Sequence, residues 1–175
     1  MKPITRDIIT AADDFFFTLS DELLEEKVEE FYTRQYELCQ YLFKNLDKLS
    51  CGDQVDLMAR LALVIDYCFN SYHIKLDAIE LATIKNFLEW RSEKFEELTK
   101  SSQEATLTFV EFVNSFGSWG QDDLLTYLNH RLENNVNDEY DEKEDYDDKA
   151  VFMITLMSLC FIYQQELRKQ MEVVN

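Results

Sequence analysis

Apolar residues recur at steps of three and four along most of the chain, the spacing of helices with one buried face. The first series is Ile4, Ile8, Ala12, Phe15 or Phe16, and Leu19, preceded by Pro3 and Thr5. Ser20 stands ahead of a second series, Leu24, Val28, Phe31, Leu38, Leu42, Leu46 and Leu49, with Gln35 in its one polar slot. That series predicts one amphipathic helix of about seven turns, capped by Ser20. Cys51-Gly52-Asp53 reads as a break with Asp53 as the next cap, followed by Val55, Met58, Ala62, Ile65, Phe69 and Tyr72. Between Asn70 and Leu76 there is neither Gly nor Pro, so a helix there continues, kinks or restarts near Asp77.

Leu81, Ile84, Leu88, Phe95 and Leu98 form the next stripe. Ser101-x-x-Glu104 has the capping-box pattern and precedes Leu107, Val110, Val113 and Phe116. Gly117-Ser118-Trp119-Gly120 ends that series, with Trp119 expected to pack the corner between helices. Ser118-x-x-Gln121 predicts a further start, with Asp122 and Asp123 in the first turn and Leu124, Leu125, Leu128 and Leu132 facing inward. The periodicity then stops. Asn134–Asp148 reads NNVNDEYDEKEDYDD, which predicts a solvated acidic loop at about 134–147.

A last helix is expected from near Asp147-Asp148 to about Met171, its end charges suiting the helix dipole. Its segment Ala150–Tyr163 is apolar nearly all round, so other helices should surround it. At 14 residues, with Thr155 and Ser158 inside it, this segment is too short to span a bilayer. The expected fold is all-α: one domain over residues 1–175, a compact bundle of roughly six to seven helices with the apolar C-terminal helix at its centre. Composition agrees, since Gly 3 and Pro 1 are too few for a turn-rich sheet protein.

Charge changes the picture more. The formal net charge is −18, of which −8 falls in residues 7–30 and −7 in residues 133–149. A field of that sign repels nucleic acid and anionic membrane and speeds encounter with basic proteins. Part of it has a structural origin, because Asp21 and Glu22 lie in a first helical turn. Glu25, Glu26, Glu29 and Glu30 continue along the outer face, with Glu30 able to pair with Arg34. The unexplained residue of acidity is Asp138, Glu139, Tyr140, Asp141, Glu142, Glu144, Asp145 and Tyr146, which we read as partner-binding. Tyrosines among acids suit a protein interface. Tyr32, Tyr36 and Tyr41 decorate the long helix, where they either add contact area to an interface or flank the core with their hydroxyls in water.

Candidate chemistry is sparse. His73 and His130 lack the Glu-x-x-His pairing of di-iron bundles, and the H-E-x-x-H pattern is missing. Glycine-rich phosphate loops and the G-x-S-x-G elbow are missing too. An EF-hand aligned on Asn137, Glu139 and Asp141 puts Glu142 where glycine is required. Cys39, Cys51, Cys68 and Cys160 form no C-x-x-C pair and suit a reducing compartment. No cofactor, metal or catalytic residue is expected.

The sequence therefore predicts a non-enzymatic cytoplasmic protein that engages a basic protein surface. An inhibitor, an immunity- or antitoxin-like protein and a nucleic-acid mimic are its concrete forms. Direct nucleic-acid or membrane binding is not expected, and the oligomeric state is left open. The alternative is a structural or scaffold bundle, homo-oligomeric in one form, whose acidity only confers solubility.

Overall fold

Gln35 divides the long helix that the apolar stripe predicts. In the computed structural model, Asp21–Arg34 forms α2 and Tyr36–Leu46 forms α3. Gln35 between them leaves the helical region (φ −121°, ψ 45°), although its N–H still donates to Phe31 O at 2.8 Å. Its side chain turns inward, and Oε1 accepts the Ile79 N–H at 2.9 Å. The polar slot is thus a hinge whose amide satisfies a backbone donor 44 positions away.

The structure describes residues 3–46, 52–71, 76, 78–101, 121–135 and 142–173, with backbone alone at 45–46, 52–54, 101, 135, 142–150 and 173. Around α2 and α3 stand α1 (Arg6–Phe17), α4 (Gly52–Asn70), α5 (Leu81–Ser101), α6 (Asp122–Asn135) and α7 (Glu142–Val173). Among the described residues the fold is an all-α bundle without strands. The readings at Tyr72, His73 and Asp77, the series Leu107–Phe116 and the corner at Trp119 lie outside the described residues.

Two helices organise the core. α7 packs against α3, α4, α5 and α6, and α4 packs against α1, α2 and α7. Along α7 the side chains from Thr155 to Cys160 and from Ile162 to Gln164 are buried, which fits a segment apolar nearly all round. Tyr163 is fully buried and stacks on Phe69 with ring centroids 5.3 Å apart. Leu124, Leu128 and Leu132 face the core as their spacing predicts, and Leu125 packs half-buried beside them. Ser20 caps α2 through Oγ, which accepts from Leu23 N.

Several expectations need correction. α7 begins at Glu142, five residues before Asp147, and α6 runs to Asn135, so residues 134–135 and 142–147 of the expected acidic loop are helical. Acids in the first turns of α7 lie at the positive end of its macrodipole, which supports helix where apolar periodicity is missing. α4 begins at Gly52, placing Asp53 inside the first turn instead of at the cap. α4 ends at Asn70 with Ser71 in a turn, Leu76 and residues 78–80 are not helical, and α5 starts at Leu81. On α5 the buried apolar positions are Ile84 and Phe87, while Leu81 and Phe95 are 43% and 50% exposed. Tyr41 is buried and accepts from Arg91 Nη1 at 3.2 Å.

Candidate functional site

The longest exposed run of carboxylates on described side chains is on α2. Asp21, Glu22, Glu25, Glu26, Glu29 and Glu30 are all exposed, because Leu24, Phe31 and Val28 take the inward positions. Glu30 pairs with Lys27, whose Nζ reaches its two oxygens at 2.9 and 2.8 Å. Arg34 does not reach Glu30, contrary to the sequence expectation; it turns into the bundle toward Asp66. Asp21 lies 3.7 Å from Arg60, which spends its other contacts on Phe16 O and Leu19 O at the end of α1. Among the described residues no ion pair reaches Glu22, Glu25, Glu26 or Glu29.

This acid ridge ends in aromatics. Tyr32 meets Tyr36 edge-on at 5.3 Å and Phe43 at 5.9 Å, and its hydroxyl accepts from Gln40 Nε2 at 3.2 Å. Tyr36 is 52% exposed and Phe43 43%. Behind them an apolar groove of about 40 Å³ opens between α2, α3 and α4.

Of the residues read as partner-binding, Asp138, Glu139, Tyr140 and Asp141 lie outside the described residues. Glu142, Glu144, Asp145 and Tyr146 fall on the first turns of α7, so half of that set is helical backbone instead of loop. The α2 ridge and this stretch are carried by different helices.

Sequence reading missed the buried polar groups. Asp66 on α4 is 6% exposed and receives Arg34 Nη1 and Nη2 at 3.0 and 2.5 Å and Tyr163 Oη at 2.5 Å. Asp13 on α1 is held by the same residue types: Arg131 Nε at 2.9 Å, Arg131 Nη2, and Tyr127 Oη at 2.5 Å. The Arg131 guanidinium also lies over the Phe17 ring, 4.1 Å from its centroid. Each clamp ties helices far apart in sequence, so spacing carries no signal of either.

The other buried carboxylate of the described residues, Glu166, bonds to Thr83 in the wall of a cleft of about 370 Å³ that is also lined by Asn86, Phe87, Phe161, Gln165 and Lys169, among others. Thr83 Oγ1 donates to Glu166 Oε2 at 2.6 Å, and Lys169 Nζ donates to Glu80 Oε2 at 2.6 Å. That hydrogen bond to Glu80 holds the Lys169 ammonium above its usual range, so it is a fixed cation and a poor base near neutrality. His130 is exposed at the surface of α6, beside Asn134. Burial pushes the Cys39 and Cys68 thiols up to about 12 and raises Cys160 as well, which keeps all three as packing thiols. Among the described residues no group of three His, Cys, Asp or Glu side chains is arranged to hold a metal ion.

No helix of the described residues is long and apolar enough to cross a membrane. In comparisons with protein-family models, curated proteins and solved structures, nothing matches this chain, so its own residues carry the functional reading.

Proposed function

We propose that the chain is a non-enzymatic intracellular binding protein that captures a basic surface on another protein. An inhibitor, an immunity- or antitoxin-like protein, or a nucleic-acid mimic would act this way, with carboxylates taking the place of phosphates before the partner's lysines and arginines. The observation that carries the reading is the α2 ridge: Glu22, Glu25, Glu26 and Glu29 are exposed, have no ion pair among the described residues, and run into the Tyr32–Tyr36–Phe43 cluster. Exposed carboxylates steer a basic partner inward, and aromatic side chains supply desolvated contact area once it arrives. The acids of residues 138–145 add to the chain's net negative charge. The buried carboxylates favour the non-enzymatic form, since Asp66 is engaged by Arg34 and Tyr163, and Glu166 by Thr83.

The test is capture from the native host followed by titration of the purified partner. A basic protein should bind at low salt, and its affinity should fall at least about tenfold between roughly 50 and 300 mM salt. Changing Glu22, Glu25, Glu26 and Glu29 to glutamine should remove most of that salt dependence. An affinity indifferent both to salt and to these substitutions would refute the reading.

A further inference from the structure

We infer that the groove between α2, α3 and α4 receives the apolar anchor of a cationic amphipathic helix, whose basic residues lie along the α2 ridge. The inference rests on the binding reading above and adds the chemical class of the partner segment. The groove is lined by Val28 and Phe31 from α2, Cys39 and Leu42 from α3, and Met58 and Ala62 from α4. Tyr32, Phe43 and Ala59 complete its wall, and all three are partly or fully exposed. Its volume of about 40 Å³ is far below the roughly 300–1,000 Å³ of small-molecule sites. It suits one aliphatic side-chain end.

The position of the carboxylates selects the occupant. Asp21, Glu25, Val28 and Tyr32 follow one another at steps of four, three and four, so they share one row of α2. Glu29 stands in the adjacent row of α2 and is exposed, as is Tyr36 at the start of α3. From Asp21 to Glu29 the acids therefore run beside the groove for about 12 Å. Lys27 lies on the other side of α2 with Glu30, and Arg34 is turned inward to Asp66; Arg60 meets the row only at Asp21, 3.7 Å away, which leaves Glu25 and Glu29 without an ion pair among the described residues. A helix with lysines or arginines at steps of three and four spans that length in about two turns. An anchor among them reaches the groove between the α2 row and Phe43.

Charge disfavours other occupants. A second copy would set the same carboxylate row against itself, which costs energy at each facing pair. A fatty acid or anionic lipid would bring its own negative headgroup to Glu25 and Glu29, and the groove holds little of an acyl chain.

The probe is a synthetic helical peptide of about sixteen residues, with lysines at steps of three and four and one leucine on the same face. One companion peptide replaces leucine by serine; another replaces the lysines by glutamine. Binding to the full chain is read by fluorescence anisotropy, and by the methyl resonance of Met58, which lines the groove and is 1% exposed. The leucine peptide should bind about tenfold tighter than the serine peptide and shift the Met58 methyl. Ala59→Phe, which fills the groove from its rim, should erase that difference while the salt-dependent binding of both peptides persists. The glutamine peptide should not bind.

Equal affinity of the leucine and serine peptides, or an unmoved Met58 methyl with the leucine peptide bound, overturns the groove inference. Salt-dependent capture of a basic partner by the α2 ridge would still stand in that case. Binding of the glutamine peptide as tightly as the lysine peptide also overturns it. So does a dimer, measured by light scattering, that Ala59→Phe dissociates.

Discussion

The Tyr163 hydroxyl donates at 2.5 Å to the same Asp66 oxygen that Arg34 Nη1 reaches at 3.0 Å, joining α2, α4 and α7 at one carboxylate. Arg34 is a fixed cation here, its pKa raised first by its hydrogen bonds to Asp66. Removing the carboxylate strands a guanidinium and a buried hydroxyl together. Asp66→Ala should therefore lose about 3–5 kcal/mol of unfolding free energy. Tyr163→Phe keeps the ion pair and the Phe69 stacking, and should lose only about 1.5–3 kcal/mol. Urea denaturation of both variants checks the order; equal losses would show that the Tyr163 hydroxyl dominates the clamp.

Stability should fall on the alkaline side. Burial pushes the Cys39 and Cys68 thiols from 9.0 to about 12. The folded chain keeps protons that the unfolded chain releases above pH 9, so the unfolded state binds fewer protons and stability declines as pH rises. The contribution is complete below the unfolded thiol value and is lost as pH climbs toward 12. Tyr163 and Tyr127, raised first by burial, act in the same direction above the ordinary tyrosine range. Between pH 7.5 and 10, each thiol should account for about 1 kcal/mol. Cys68→Ala should flatten the measured slope by that amount, whatever it does to stability at neutral pH.

Gln35 offers a separate test of the hinge. Its Oε1 is the acceptor for the Ile79 N–H, while its Nε2 is buried without a partner among the described residues. Gln35→Ala leaves that backbone donor unsatisfied and should cost about 1–3 kcal/mol. Gln35→Glu keeps an acceptor but buries a carboxylate beside apolar Phe31 and Cys39. It should cost at least as much at pH 7, and less near pH 4, where the side chain is neutral. A glutamate variant as stable as the wild type at pH 7 would mean that the amide is not held in the bundle.

The helices were legible where burial repeats locally. Leu124, Leu128 and Leu132 lie four apart and face inward, and the apolar run of α7 buries Thr155–Cys160 and Ile162–Gln164. The break at Gln35 was not legible, since its partner Ile79 lies 44 positions away and the three-and-four spacing runs unchanged through this one polar slot. Arg34 illustrates the same limit. Glu30 is four residues before it, at pairing distance on a helix, yet Asp66 on α4 offers a bidentate acceptor out of water. The start of α7 at Glu142 was hidden because its first turns carry acids instead of an apolar row. For the candidate site, the acids of α2 were legible as an outer face, and the groove was not, because it takes three helices to form.

The Asp13 clamp should behave as an independent copy of the Asp66 clamp. Arg131 and Tyr127 bring α6 to α1, whereas Arg34 and Tyr163 bring α2 and α7 to α4, and the two sets share no residue. Tyr127→Phe should cost about 1.5–3 kcal/mol, as Tyr163→Phe does, because each removes one hydroxyl donor from a carboxylate that keeps its guanidinium. Without a shared partner, the double variant should lose the sum of the single losses to within about 0.5 kcal/mol. Denaturant midpoints and slopes for the four proteins give the cycle directly. A coupling above about 1 kcal/mol would place the clamps in one network through the α1–α4 contact, the face on which those two helices pack.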